Sequence, residues 1–222
     1  MVVVIPAYNP DYHLIDVINN LKDLKYKIVV VNDGSNKDCN KIFNKISKYA
    51  YIVNHNTNMG KGIAMKTGIR YIKDNLNEDG IIFVDADNQH DIEDIKNIIN
   101  AFYNNPDSLI LGCRLFNNKE VPIRSKIGNN ITKKVFKLVT KTYISDTQTG
   151  LRCMSSKYIP MLLNIPGDRY EYEISMLKEF IKNKIDIKEV KIKTIYEDKK
   201  NSTSHFKTIK DSYIIYKALL KR

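Results

Sequence analysis

Short apolar runs take turns along the first half of the chain with segments whose apolar residues recur every third or fourth position. Val2–Ile5, Lys27–Val31, Tyr51–Val53, Ile81–Val84 and Ser108–Gly112 read as strands, several followed by Pro, Asn, Asp or Gly. Helices are predicted from Tyr12 to about Lys25 (Leu14, Val17, Ile18, Leu21, Leu24), around Ile42, Phe43 and Ile46, from Ile63 to Ile72, and from Ile92 to Phe102. Alternating strands and helices predict an α/β fold with a largely parallel sheet and right-handed crossovers.

Beyond residue 115 the pattern changes. Pro122 to Thr142 is basic, and Ile127, Ile131, Val135, Phe136, Leu138 and Val139 fit one helical stripe. Asp146–Arg152 is loop-like, and Cys153-Met154 returns to the core. A helix opens at Arg169-Tyr170-Glu171-Tyr172-Glu173, Ile185 to Ile195 alternates as a half-exposed strand, and a last helix runs through Ile209 to Leu220. With no internal repeat or linker, residues 1–222 should form one domain. The change of pattern divides it into residues 1–115 and 116–222.

The strongest chemical signal is Ile81-Ile82-Phe83-Val84-Asp85-Ala86-Asp87-Asn88-Gln89-His90. A strand ending near Val84 puts Asp85 and Asp87 at its carboxyl end, where open α/β sheets place ligands. Two carboxylates so close suit Mg²⁺ or Mn²⁺; the alternative is that they cap the next helix. Asn58-Met59-Gly60-Lys61-Gly62 precedes a helix and offers backbone N–H groups and a cation to phosphate, although it matches neither a Walker loop nor a dinucleotide fingerprint. Arg114, at the end of a strand, is either a phosphate clamp or half of a surface ion pair.

Composition narrows this only a little. The charge of +11, from 36 Lys/Arg against 25 Asp/Glu, favours acidic partners: nucleic acid, an anionic membrane or a phosphorylated substrate. Cys39, Cys113 and Cys153 are scattered, odd in number and without zinc spacing. No apolar run approaches the ~18 residues of a membrane span, and Met1–Pro6 lacks the features of a secretion signal, so the expected location is the cytoplasm.

In order along the chain, Ile5-Pro6-Ala7-Tyr8-Asn9, Val31-Asn32-Asp33-Gly34-Ser35, Asn58–Gly62, Asp85–His90, Gly112-Cys113-Arg114 and Asp146–Arg152 resemble the motifs of the inverting family-2 glycosyltransferases of the GT-A fold. The likeness is greatest to the polyprenyl-phosphate branch that includes dolichyl-phosphate mannose synthase and bactoprenol glucosyltransferases. It implies a single Rossmann-like domain with a mostly parallel sheet flanked by helices, in which 1–115 is the nucleotide-sugar-binding half and 116–222 the acceptor-side half. It also implies metal-dependent transfer of a hexose from a nucleoside diphosphate sugar to polyprenyl phosphate. By that resemblance Pro6, Tyr8 and Asp33 hold the base and ribose, and Asp85 lies near ribose and metal. Asp87 and Gln89 bind Mg²⁺ or Mn²⁺. Lys61, Arg114 and one of Lys199, Lys200 or His205 contact the diphosphate, with His205 a possible further metal ligand.

The resemblance also places Arg124 toward the acceptor phosphate. A phosphate acceptor needs no base, whereas a hydroxyl of a surface glycan or wall polymer would need one, and Glu171 or Glu173 matches that region. Both also fit helix-start glutamates favoured by the dipole. Pro10 stands where many relatives carry Glu, leaving Asp11 as a substitute. The C-terminal membrane helices of many relatives do not occur in the sequence up to Arg222, so the helices near 124–141 and 209–220 are expected to meet an anionic membrane, or a membrane protein to recruit the enzyme. The expected site of action is the inner face of the cell membrane. A sugar-phosphate nucleotidyltransferase lacks its Gly-rich N-terminal signature here. A nucleic-acid binder would leave the Asp85/Asp87 strand end unexplained, since carboxylates repel phosphate.

Overall fold

A computed structural model describes residues 1–114, 123–193 and 208–220. The N-terminal half gives β1 (Val2–Ala7), α1 (His13–Lys22), β2 (Lys27–Asn32), α2 (Asn40–Ile46), β3 (Tyr51–Asn54), α3 (Lys61–Asn75), β4 (Gly80–Phe83), α4 (Ile92–Asn104) and β5 (Leu109–Arg114). The C-terminal half adds α5 (Ile123–Thr140), β6 (Arg152–Ser155), α6 (Ile159–Asn164), α7 (Glu171–Lys182), β7 (Ile187–Ile192) and α8 (Thr208–Leu220).

Seven strands form one sheet in the order β3-β2-β1-β4-β6-β5-β7. The β1–β2, β1–β4, β2–β3 and β5–β7 pairs are parallel; β6 runs antiparallel to both neighbours. β1, β2, β4 and β5 are buried on both faces because helices cover both, which is why their apolar runs show no alternation, whereas β3 is a half-exposed edge strand. One face packs Val2, Val4 and Val29 against α3, α6, α7 and α8; the other packs Val3, Ile5 and Val30 against α1, α2 and α4. β7 lies at the sheet edge and is half-exposed, as expected, but does not alternate strictly: Lys188 and Glu189 are both exposed, and Ile187 packs on one face while Val190 and Ile192 pack on the other.

Three further expectations change. Pro6 does not stop β1, which continues to Ala7 in register with Asn32. Arg152-Cys153-Met154-Ser155 is a full strand wedged between β4 and β5, so the sheet draws on both halves of the sequence. The apolar positions of α5 do not share one stripe, because Phe136 is buried while Ile131 and Leu138 face solvent. Among the described residues no helix is long and apolar enough to cross a membrane.

Candidate functional site

β1, β2 and β4 are parallel, so their carboxyl ends lie at one edge of the sheet and deliver Tyr8, Asp33 and Asp85 there. The helix-capping reading of Asp85 and Asp87 fails. Asp91 caps α4 by accepting the Glu93 N–H at 2.8 Å, whereas among the described residues Asp87 Oδ1 accepts the Gln89 N–H of its own turn at 3.2 Å and no N–H of α4. The turn is made by Asn88 in the left-handed conformation (φ 57°), which Asn tolerates better than most residues.

Asp85 sits in a cluster of charges drawn from three segments. Lys61, the first residue of α3, places Nζ 2.7 Å from Asp85 Oδ1 and 3.0 Å from Glu173 Oε1 at the start of α7. His90 Nε2 lies 3.5 Å from Asp85 Oδ2, and neither buried ring nitrogen makes a hydrogen bond. Gly150 packs so tightly behind Asp85 that a Cβ there would sit 2.1 Å from Oδ2. Burial acts to raise the Asp85 pKa, but Lys61 and His90 outweigh it and hold the carboxyl well below the usual carboxylate range. Lys61 is held above the usual lysine range, its own burial being overcome by Asp85 and Glu173. Asp87 is shifted the other way, upward, by burial and by the Asp85 charge beside it.

Lys61 is held in place by the loop before it. Gly60 adopts φ 105°, and a Cβ there would meet the Asp168 carbonyl at 2.5 Å, so only glycine fits. The loop hangs on Asp33, which is 2% exposed. Asp33 Oδ1 accepts the Met59 N–H at 2.9 Å and lies 2.7 Å from His55 Nδ1; Oδ2 accepts the Gly60 N–H and the Asn58 amide, both at 2.8 Å. From the C-terminal half, the Asp168 carbonyl accepts the Ile63 N–H and the Gly167 carbonyl accepts Lys66 Nζ.

The two glutamates of α7 differ. Glu171 turns back on its own loop and accepts the N–H groups of Asp168 and Arg169 at 2.9 and 3.3 Å. Glu173 is buried and reaches Lys61. Arg114 grips the fully buried Asp146 with a two-pronged contact of 2.7 and 3.1 Å, the ion-pair alternative its sequence left open. Asp11 contacts His13 at the start of α1. Pro6, within β1, and Tyr8, just past its end, are half-buried at the same sheet edge as Asp33. Arg124 falls in the first turn of α5. Lys199, Lys200 and His205 lie outside the described residues.

Sequence reasoning gave no role to His90, Gly150 or Arg152. Arg152 is wholly buried, donates from Nε to the Thr149 carbonyl at 2.9 Å and also bonds the Glu173 carbonyl, so it ties the loop behind Asp85 to α7. Its signal was a charged residue opening an apolar run.

Asp87 and Gln89 fit a divalent cation. Asp87 is a half-buried carboxylate with a raised pKa that forms no ion pair among the described residues, and Gln89 adds a neutral oxygen two residues on. Among the described residues no three His, Cys, Asp or Glu side chains cluster to hold a metal by themselves, so remaining ligands would come from substrate oxygens or water.

Comparison with known proteins identifies the family. The model of "Glycosyl transferase family 2" matches residues 2–159. A UDP-N-acetylglucosamine–dolichyl-phosphate N-acetylglucosaminyltransferase of Methanococcus voltae is 33% identical over 215 residues, 88% of this chain and 85% of that protein. A dolichyl-phosphate beta-glucosyltransferase of Saccharomyces cerevisiae is 27% identical over 86% of this chain and 65% of its own length. Glucosyl-3-phosphoglycerate synthase from Mycobacterium tuberculosis, solved with Mn²⁺, UDP and phosphoglyceric acid, superposes with a TM-score of 0.72 at 16% identity, covering 99% of this chain and 76% of that one. That likeness shows the fold.

Proposed function

The chain belongs to glycosyl transferase family 2 and is a nucleotide-sugar-dependent glycosyltransferase, and we propose that it transfers a hexose or N-acetylhexosamine from a UDP-sugar to polyprenyl phosphate. The donor and acceptor are suggested by the relatives named above. The transfer would be direct, with inversion at the anomeric carbon, and would use Mg²⁺ or Mn²⁺.

One observation carries the choice of acceptor. Glu173 is the α7 carboxylate that reaches the site, and it is engaged with Lys61 at 3.0 Å. A hydroxyl acceptor needs a carboxylate open to take its proton, and the Lys61 ammonium occupies this one. A lipid phosphate is already anionic at neutral pH and can attack without one.

The remaining roles follow from charge and position. Asp87 and Gln89 would hold the cation, which neutralises charge gathering on the departing diphosphate. Lys61, at the N-terminus of α3, would present its ammonium and the first N–H groups of that helix to the same phosphates. Asp85 keeps Lys61 aimed at the sheet edge, and Gly150 fixes where Asp85 points. Asp33 would act mainly by shaping the Asn58–Gly62 loop, and Arg114 by fixing Asp146. Pro6 and Tyr8 would flank the base, and Arg124 would meet the acceptor phosphate. Such an acceptor is anchored in a bilayer, so the enzyme would work at the inner face of a membrane.

The test is transfer of labelled sugar into organic-extractable lipid, with undecaprenyl phosphate and UDP-N-acetylglucosamine, UDP-glucose or GDP-mannose, with and without Mn²⁺. Metal-dependent lipid product, lost in Asp87→Ala, is expected. Donor hydrolysis or transfer to a soluble hydroxyl acceptor with no lipid product would overturn the acceptor.

A further inference from the structure

Helices α5 and α8 pack side by side, with the Thr132 and Tyr216 hydroxyls 3.3 Å apart. Both cover the same face of the sheet, Phe136 from α5 and Ile215 and Leu219 from α8 entering one core. On such helices the opposite stripe should be polar. Here it reads Ile131, Lys134, Leu138 on α5 and Tyr213, Lys217, Leu220 on α8, each set falling on one side of its helix. Leu138 is 72% exposed, Tyr213 69%, Leu220 66% and Ile131 48%. Single exposed leucines are ordinary. Two outward stripes on one layer, each with apolar residues bracketing a lysine, are not.

The charge around them has one sign. No Asp or Glu occurs from 121 to 145, and Lys137 and Lys141 add exposed positive charge beside the stripe. The one acid within α8, Asp211, is buried and paired with Arg169. A second copy seated symmetrically on this face would set lysines against lysines. An anionic lipid surface suits both features, since apolar tips enter the acyl boundary while lysines reach back to the headgroups.

We infer that the outer face of α5 and α8 docks the enzyme on an anionic bilayer. This rests on the lipid-acceptor reading for its purpose, because it brings α5, which opens next to Arg124, against the membrane that would hold the acceptor.

The test is flotation of the full chain with phosphatidylcholine vesicles, with and without 30% phosphatidylglycerol and with no acceptor lipid. Wild type should bind the anionic vesicles and be released by high salt. Leu138→Asp/Leu220→Asp should weaken partitioning at least tenfold, and Lys134→Gln and Lys217→Gln by about fivefold each. Transfer to a short, water-soluble prenyl phosphate should be unchanged in these variants. Wild type that ignores anionic vesicles, variants that bind them as well as wild type, or dimers broken by Leu138→Asp would each overturn the inference. Vesicle binding without transfer to any prenyl phosphate would instead refute the proposed acceptor and leave the docking face standing.

Discussion

Lys61→Met keeps most of the side chain's length and removes the charge between Asp85 and Glu173. The two ion pairs, at 2.7 and 3.0 Å, have gross attractions of about 6 and 5.5 kcal/mol at an effective dielectric of 20. Desolvation of the ions offsets much of that, so the net worth of the cluster is small, yet deleting one partner strands the others. Breaking a buried pair costs about 3–5 kcal/mol. Asp85 retains 28% side-chain exposure, which favours the lower end, about 3 kcal/mol. For a chain of this size that is a fall in Tm of about 6–12 °C. The pH dependence is the sharper test. In the wild type the depressed Asp85 pKa gives stability that is full above its unfolded value near 4 and is lost only as pH falls through the folded one. The raised Lys61 pKa gives stability that is full below about 10.4 and is lost as pH climbs through the folded value, so this cluster should add no slope between about pH 5 and 9. Without Lys61, burial and mutual repulsion push the carboxylates upward, and stability then falls as they ionise with rising pH. Urea melts at pH 5 and 8 should therefore show the larger deficit at pH 8, partly recovered in Lys61→Met/Glu173→Gln. A deficit under about 0.5 kcal/mol at pH 8, or one equal at both pH values, would refute the reasoning.

Asp87→Asn should abolish Mn²⁺-dependent UDP binding by calorimetry and lower transfer at least a hundredfold; unaltered metal dependence would place the cation elsewhere. Gly150→Ala puts a Cβ 2.1 Å from Asp85 Oδ2, so we expect about 1–3 kcal/mol of destabilisation and a donor affinity at least tenfold weaker. Glu171→Gln preserves an acceptor for the Asp168 and Arg169 N–H groups and should leave transfer within about threefold, whereas a hundredfold loss would make Glu171 the base after all. Asp33→Asn replaces one acceptor oxygen by a donor facing N–H groups and should cost about 2 kcal/mol in denaturant melts, with donor affinity falling as the Asn58–Gly62 loop loosens.

How far the sequence reaches follows from what a pattern can encode. Buried strands and amphipathic helices are local facts, so β1 to β5 and α1 to α4 are legible, and strand-end logic carries Asp85 and Asp87 to the correct edge. β6 is not, because four residues opened by a buried arginine look like the end of a loop, and its antiparallel place between β4 and β5 is decided by partners far away in sequence. The same limit governs the site. The motif resemblance gives Asp33 and Arg114 to a ligand, but a motif fixes where a side chain is anchored and not which partner it meets. Asp33 meets the Met59 and Gly60 amides, and Arg114 meets Asp146, both contacts made by the folded chain. Glu171 and Glu173 are two residues apart and equivalent by composition, yet the roughly 200° between them around the helix separates a loop brace from a partner of Lys61. On α5, Ile131, Phe136 and Leu138 read as one broad stripe until a neighbour is present to bury Phe136. Only then do the other two become a second surface, whose chemistry has to be explained by something outside the fold.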